Sequence, residues 1–302
     1  MKQTLFLTVH FSIMLSASLR GQTKDSLHQI QKVDFTVYFS TGHQVRAENI
    51  ALQIEQVIAF HRQLLGFGPT LSIYILSPED WKVYAAQQVV YGMPHYSEKG
   101  KGLFVAAEDN MFWKSFLPPL DQLPEALRKP IETTYKGNAG QLTMQPFFDL
   151  LVIHELGHTF HMQARRIMQR SWMAELFCNI FLHTYIAEKE PGLLPALRLF
   201  PQMVVAGGTK EMKYTSLQDI NERYSEIAKK HPKNYGWYQC RWHDAAAKIY
   251  DAGGSQVLGK LWDALKENKE KLTDEELLSF LKTKVDKSIA EVMEHWDRDT
   301  VR

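Results

Sequence analysis

An α+β fold is predicted from three features: strand-like segments confined to the first third, long helical patterns from Leu120 onward, and no internal repeat or low-complexity tract. The expected layout is a small N-terminal layer of strands and helices, 33–118, packed on a mainly helical part, 119–302. Together they form one domain spanning 22–302. Apolar residues make up 45% and charged residues 23% of the chain, which excludes a wholly disordered chain, a collagen-like fibre and a multi-span membrane protein. With 35 Lys+Arg against 34 Asp+Glu and no basic block, the chain carries no electrostatic footprint for phosphates, so nucleic acid is not an expected partner.

Residues 1–21 read as a secretory signal peptide. Met1-Lys2 gives a short positive start, Thr4 to Ala17 runs mostly apolar, and small residues follow at Ser16, Ala17, Ser18 and Gly21. The expected location is therefore outside the cytoplasm, secreted or periplasmic. No cysteine sits near the exit, which excludes a lipoprotein anchor there. No later stretch approaches the ~20 uninterrupted apolar residues of a spanning helix, so the mature chain is expected to lack a membrane span. Cys178 and Cys240 are the two cysteines. An exported chain permits a bridge between them, but two cysteines define no framework, and the pairing is left open.

Residues 22–32 are polar and read as a leader into the fold. Val33 to Phe39 alternates aromatic and β-branched residues, predicting a strand. Ala47 to Leu65 places Ile50, Ile54, Val57, Ile58 and Leu65 at helical spacing and stops at Gly66 and Gly68. Leu71 to Leu76 predicts a second strand, and Ser77-Pro78 the cap and first residue of a short helix. Gly100-Lys-Gly102 leads into a third strand, Leu103 to Ala107. This strand is read either as the sheet edge above a cleft, where an extended substrate could add, or as a plain structural strand. Helical patterns then cover Phe147–Gln163, Trp172–Lys189, Leu193–Val204 and Ser216–Lys230. Capping boxes are read at Thr273–Glu276 and Ser288–Glu291.

The chemistry is concentrated in Leu151-Val-Ile-His154-Glu155-Leu-Gly-His158-Thr-Phe-His161. Two histidines at i and i+4 are offset by about 40° around a helix and one turn along it, so both imidazoles can meet one metal ion. Glu155 between them points near that metal without binding it, placed to act as general base toward a metal-activated water. A zinc site with an open position needs a third protein ligand. The extended form with His-x-x-Gly-x-x-His is excluded, because positions 161 and 164 hold His161 and Ala164. Glu175, seventeen residues beyond His158, is the best candidate. A turn near Arg165–Arg170 would fold its apolar helix back onto the first. Glu188 and Glu190, at a polar helix end, are weaker. Asn179 lies one turn beyond Glu175, where it could hydrogen-bond a ligating imidazole. His161 is read as packing or support for the site rather than as a ligand.

His154-Glu155-x-x-His158 followed by Trp172-x-x-Glu175 resembles the gluzincin metallopeptidases, in particular the peptidase-MA-like domains related to thermolysin. The similarity extends over roughly 33–300, including the Tyr238…Tyr250-Asp-Ala-Gly253 stretch and the closing Ser288…Trp296 segment. The chain has Leu176 where the family usually has Gly, and Asn179 in place of a more usual acid. The resemblance implies a zincin-like helical subdomain with one Zn2+ per chain held by His154, His158 and Glu175. It also implies hydrolysis of a peptide or protein substrate with Glu155 as general base. In such enzymes a Tyr or His from a downstream helix often stabilises the oxyanion. Because Asn234-Tyr-Gly-Trp-Tyr238 opens the helix in the similar stretch, Tyr238 is the first candidate and Tyr235 the second, with His231 and His243 behind them. An aminopeptidase of the same class, or a non-catalytic zincin-fold envelope or binding protein, is the competing reading. The Gly-x-Met-Glu-Asn motif of one large aminopeptidase group is absent. Substrate preference and oligomeric state are not written in the sequence.

Overall fold

Alternation explains the first strands. In β2 (Phe35–Phe39), Phe35, Val37 and Phe39 are buried while Thr36 and Tyr38 between them are half-buried. β2 pairs antiparallel with β1 (His28–Gln31), a strand inside the segment read as a leader. Its His-Gln-Ile-Gln sequence is largely exposed and gives no apolar signal. The computed structural model describes residues 27–137 and 140–297, so the signal-peptide reading of 1–21 lies outside the described residues.

Helix α1 (Gln44–Leu65) carries the chain from β2 to the parallel strand β3 (Leu71–Leu76). It closes at Gly66, whose φ of 65° is the left-handed conformation favoured by glycine. Short α2 (Pro78–Tyr84) follows, with the Ser77 hydroxyl accepting from the Asp80 amide as expected. The chain then forms β4 (His95–Ser97) and β5 (Gly102–Ala106). The sheet order is β1-β2-β3-β5-β4, with β2, β3 and β5 parallel and the outer strands antiparallel to their neighbours. The strand at 102–106 is therefore interior, lying between β3 and β4, which corrects its reading as the edge. Its five residues are all buried, as a strand flanked on both sides requires. The edge on that side is β4, three residues long and too short to show a period; β1 forms the other.

Past the sheet come α3 (Met111–Lys114), α4 (Glu125–Tyr135), α5 (Gln145–Gln163), α6 (Ser171–Lys189) and α7 (Leu194–Ala206). They are followed by α8 (Leu217–Lys230), α9 (Pro232–Gly253), α10 (Gln256–Glu267), α11 (Asp274–Phe280) and α12 (Lys287–His295). This is an α+β fold of mainly helical content. The two helices that matter most are apolar on nearly every side, which places them inside the helical layer. α6 packs on both α5 and α9. The turn between α5 and α6 reverses at Arg165, φ 53°, and is tied by the Arg166 amide to the His161 carbonyl at 2.9 Å. At their crossing the helices nearly touch. A methyl group on Gly157 would sit 3.1 Å from the Cys178 sulfur and 3.2 Å from its Cα.

The capping box at Thr273–Glu276 is present. That read at Ser288–Glu291 is not: α12 begins one residue earlier, and the Asp286 carboxylate caps it by accepting from the Ser288 amide. Cys178 and Cys240 are both buried and unpaired. Among the described residues, no helix is long and apolar enough to cross a membrane.

Candidate metal centre

The histidine pair sits on the face of α5 turned toward α6. His154 Nε2 lies 3.3 Å and His158 Nε2 3.7 Å from the same atom, Oε2 of Glu175. Helix α6 delivers that carboxylate because the Arg165–Arg170 turn folds it back antiparallel along α5. The rings of His154 and His158 are 5.0 Å apart, centroid to centroid. His154 and Glu175 are 5% and 4% exposed, and two buried imidazoles converging on a buried carboxylate are unusual without a charge to share. Burial alone would raise the Glu175 pKa, but His158 and His154 beside it hold the carboxyl well below the usual range.

Cys178, one turn beyond Glu175, also reaches this group. His154, His158 and Cys178 each present a donor atom, the three lie within 4.8 Å of one another, and they could bind a metal ion. Burial pushes the Cys178 thiol up to about 11, so in the metal-free protein it is protonated while Glu175 is anionic. Two separations in the His154, His158 and Glu175 set can be compared with those around a bound metal ion. Ligands bound at 2.0–2.1 Å in a tetrahedron stand about 3.3–3.4 Å apart, near the separations of Glu175 Oε2 from the two imidazole nitrogens.

The surrounding groups set ring orientation. His158 Nδ1 is 3.0 Å from His161 Nε2, which supports His158 from behind, as read from the sequence. Burial, and then His158 itself, lowers the His161 pKa to about 3, so this neighbour is neutral. A neutral His161 can accept the Nδ1 proton and leave the His158 Nε2 lone pair for a cation. Asn179 donates its side-chain amide to the Glu175 carbonyl at 3.0 Å instead of bonding an imidazole. Its Oδ1 and the Nδ1 of His154 are both buried without a hydrogen-bond partner.

Glu155 projects from the same turn of α5 toward the sheet. Its Oε2 accepts the backbone amide of Tyr96, 3.0 Å away on β4. Burial, opposed by His158 and His154, raises its pKa above the ordinary value. The amide of Tyr96 thus points off the open side of β4 toward the base, and this edge strand packs on the metal helix.

Tyr238 is not among these groups, which corrects its placement as the oxyanion donor. Its hydroxyl donates to the Ser216 carbonyl at 2.8 Å, and its ring is buried against Trp237, Trp242 and Trp296. Residues 235 and 238 lie about 60° apart around the helix, near neighbours on one side, and the packing around α9 gives each hydroxyl a different partner. Tyr235 is the one that faces α6. Its hydroxyl is 2.9 Å from that of Tyr224, which donates to Glu175 Oε1 at 2.6 Å. Gln239 Nε2 donates both to Glu175 Oε2 and to the Tyr235 hydroxyl, each at 2.8 Å. His243 is buried with its ring 6.5 Å from that of His154, and His231 caps α9 against the Tyr214 ring. Glu188 and Glu190 accept from Tyr250 and Tyr185 near the far end of α6. Tyr224, Gln239, Cys178 and the Tyr96 amide were not anticipated as site groups. Only Gln239 had a sequence signal, its i+4 spacing from Tyr235.

No protein-family model, curated protein or solved structure matches the chain.

Proposed function

We propose that the protein is an exported zinc-dependent peptidase of gluzincin type, in which His154, His158 and Glu175 hold the metal and Glu155 is the general base. The observation that carries this reading is the convergence of two imidazole Nε2 atoms on Glu175 Oε2 at 3.3 and 3.7 Å, with an acid of raised pKa on the same helix. Glu175 is preferred to Cys178 as third ligand because its Oε2 lies 3.3 and 3.7 Å from the Nε2 atoms of His154 and His158. Bound zinc would polarise the scissile carbonyl and acidify the attacking water.

The chain's own groups supply the rest. Glu155, its basicity raised by burial, removes the proton of the attacking water and passes it to the departing amine nitrogen. An extended peptide laid antiparallel along β4 meets the edge strand that touches the metal helix α5. The Tyr96 amide donates to Glu155 from that strand, so a peptide seated along β4 would lie beside the base. The Tyr235 hydroxyl, bonded to both Tyr224 and Gln239, the two side chains that donate to Glu175, is the donor that turns toward developing negative charge.

The test is Glu155→Gln. The variant is expected to keep zinc and fold while losing cleavage of a peptide library read by mass spectrometry, since an amide takes no proton. Cleavage at wild-type rate by that variant overturns the assigned base. A zinc-loaded wild-type chain that cuts nothing favours the non-catalytic binding protein.

A further inference from the structure

The hydrogen bonds around Glu175 form a closed circuit with one allowed arrangement of protons. A carboxylate only accepts, so the single proton of Tyr224 is committed to Oε1 at 2.6 Å. The proton between the two tyrosines, 2.9 Å apart, must therefore come from Tyr235. The Gln239 amide has two N–H bonds, and both are used: one on Glu175 Oε2, one on the Tyr235 oxygen, each at 2.8 Å. Two donor arms then run from Gln239 to the carboxylate, one directly to Oε2 and one through Tyr235 and Tyr224 to Oε1, with each proton assigned one place. The circuit joins three helices. Glu175 comes from α6, Tyr224 from α8, and Tyr235 and Gln239 from successive turns of α9.

We infer that Gln239 is a positioning residue that fixes the rotamer of the third metal ligand and aims the Tyr235 hydroxyl at the same time. Two features single it out. Oε2, the oxygen it holds, is the one that faces both histidine nitrogens, so its bond sets the donor separation of 3.3 and 3.7 Å. Its second bond occupies the Tyr235 oxygen from one side, leaving that hydroxyl a single degree of freedom, rotation of its proton. When that proton turns from Tyr224 toward an oxyanion, Tyr224 loses an acceptor role and keeps its bond to Glu175. No buried donor is stranded by the turn, so the movement is inexpensive. The inference rests on the reading that Glu175 binds the metal.

Gln239→Leu keeps the approximate volume and removes both bonds. It is expected to weaken Zn2+ binding about 10- to 100-fold by chelator competition. It should also shift the visible bands of the Co2+-loaded protein. At saturating zinc, peptide cleavage should lose kcat with little change in KM, because Tyr235 acts on the transition state. Gln239→Asn, one methylene too short to bridge both partners, should give the same losses, and it serves where leucine is not accommodated. Wild-type affinity and an unchanged Co2+ spectrum in both variants overturn the role of Gln239 while leaving the metal centre standing. A wild-type chain that binds neither metal overturns the metal centre, and the inference with it.

Discussion

Gly157→Ala probes the crossing on which the metal centre depends. The added methyl would stand 3.1, 3.2 and 3.3 Å from Sγ, Cα and Cβ of Cys178, and two of those three atoms cannot move without their helix. Comfortable carbon contacts begin near 3.5 Å, so α5 and α6 must part by roughly a few tenths of an ångström. Overpacking of this kind costs about 1–3 kcal/mol, and replacing a mid-helix glycine by alanine returns about 1 kcal/mol. The net is a loss of about 1 kcal/mol, or about 2–3 °C in a chain of this size. His154 and His158 flank Gly157 on α5 and Glu175 lies one turn from Cys178 on α6, so the same displacement widens the donor triangle. Zinc affinity should fall about tenfold, as when the groups that orient a ligand are disturbed. Urea melts of the metal-free chain, together with zinc titration against a competing chelator, measure both effects. A variant stabilised by about 1 kcal/mol with unchanged zinc affinity would show that only helix propensity responded, and would refute the close approach.

The other predictions concern the tyrosines and pH. Tyr238→Phe should leave zinc affinity and cleavage unchanged and lower stability by about 1 kcal/mol, the worth of its bond to Ser216. Tyr235→Phe should lower kcat about 100-fold, and the reverse pattern in a kinetic assay would return the donor role to Tyr238. Burial lowers the pKa of His61 to about 3 and, aided by Arg198, that of His183 to about 4, against an ordinary 6.5. Between those values and 6.5 the unfolded chain binds protons that the fold does not. Stability is therefore full above about pH 6.5 and declines as pH falls through the window, by up to about 1.4 kcal/mol per unit for each histidine. Denaturant melts from pH 7.5 to 4.5 on wild type and a His61→Gln/His183→Gln double variant test this. Equal slopes in both chains would contradict it.

Much of the fold is legible because local signals and burial agree. Leu71–Leu76 is a continuous apolar run in a strand covered on both faces, and the run from Trp172 belongs to a helix packed on most sides. β1 and β4 were not legible, since they are short outer strands held by hydrogen bonds to a neighbour rather than by apolar side chains. The two readings of 103–107, sheet edge or plain structural strand, stayed open for the same reason: strand order is a property of pairing across the chain, and the segment shows only that it is buried. At the site, His154, His158 and Glu155 follow from helix geometry within one element. Glu175 follows from one turn joining two long helices. Tyr224 and Gln239 need the crossing of α8 and α9 over α6, which no local pattern encodes. Tyr238 was favoured over Tyr235 on position in a motif; the two lie only about 60° apart around α9, and which of them meets Glu175 is set by how α6 and α8 pack on that helix.

The most direct measurement is the zinc content of the purified chain beside two single variants, Glu175→Ala and Cys178→Ser. The account predicts about one zinc per wild-type chain, retention in Cys178→Ser, and loss in Glu175→Ala, where two imidazoles alone make a poor site. No zinc in the wild type, or full occupancy in Glu175→Ala with loss in Cys178→Ser, would contradict it. The second pattern would give the third position to the thiol.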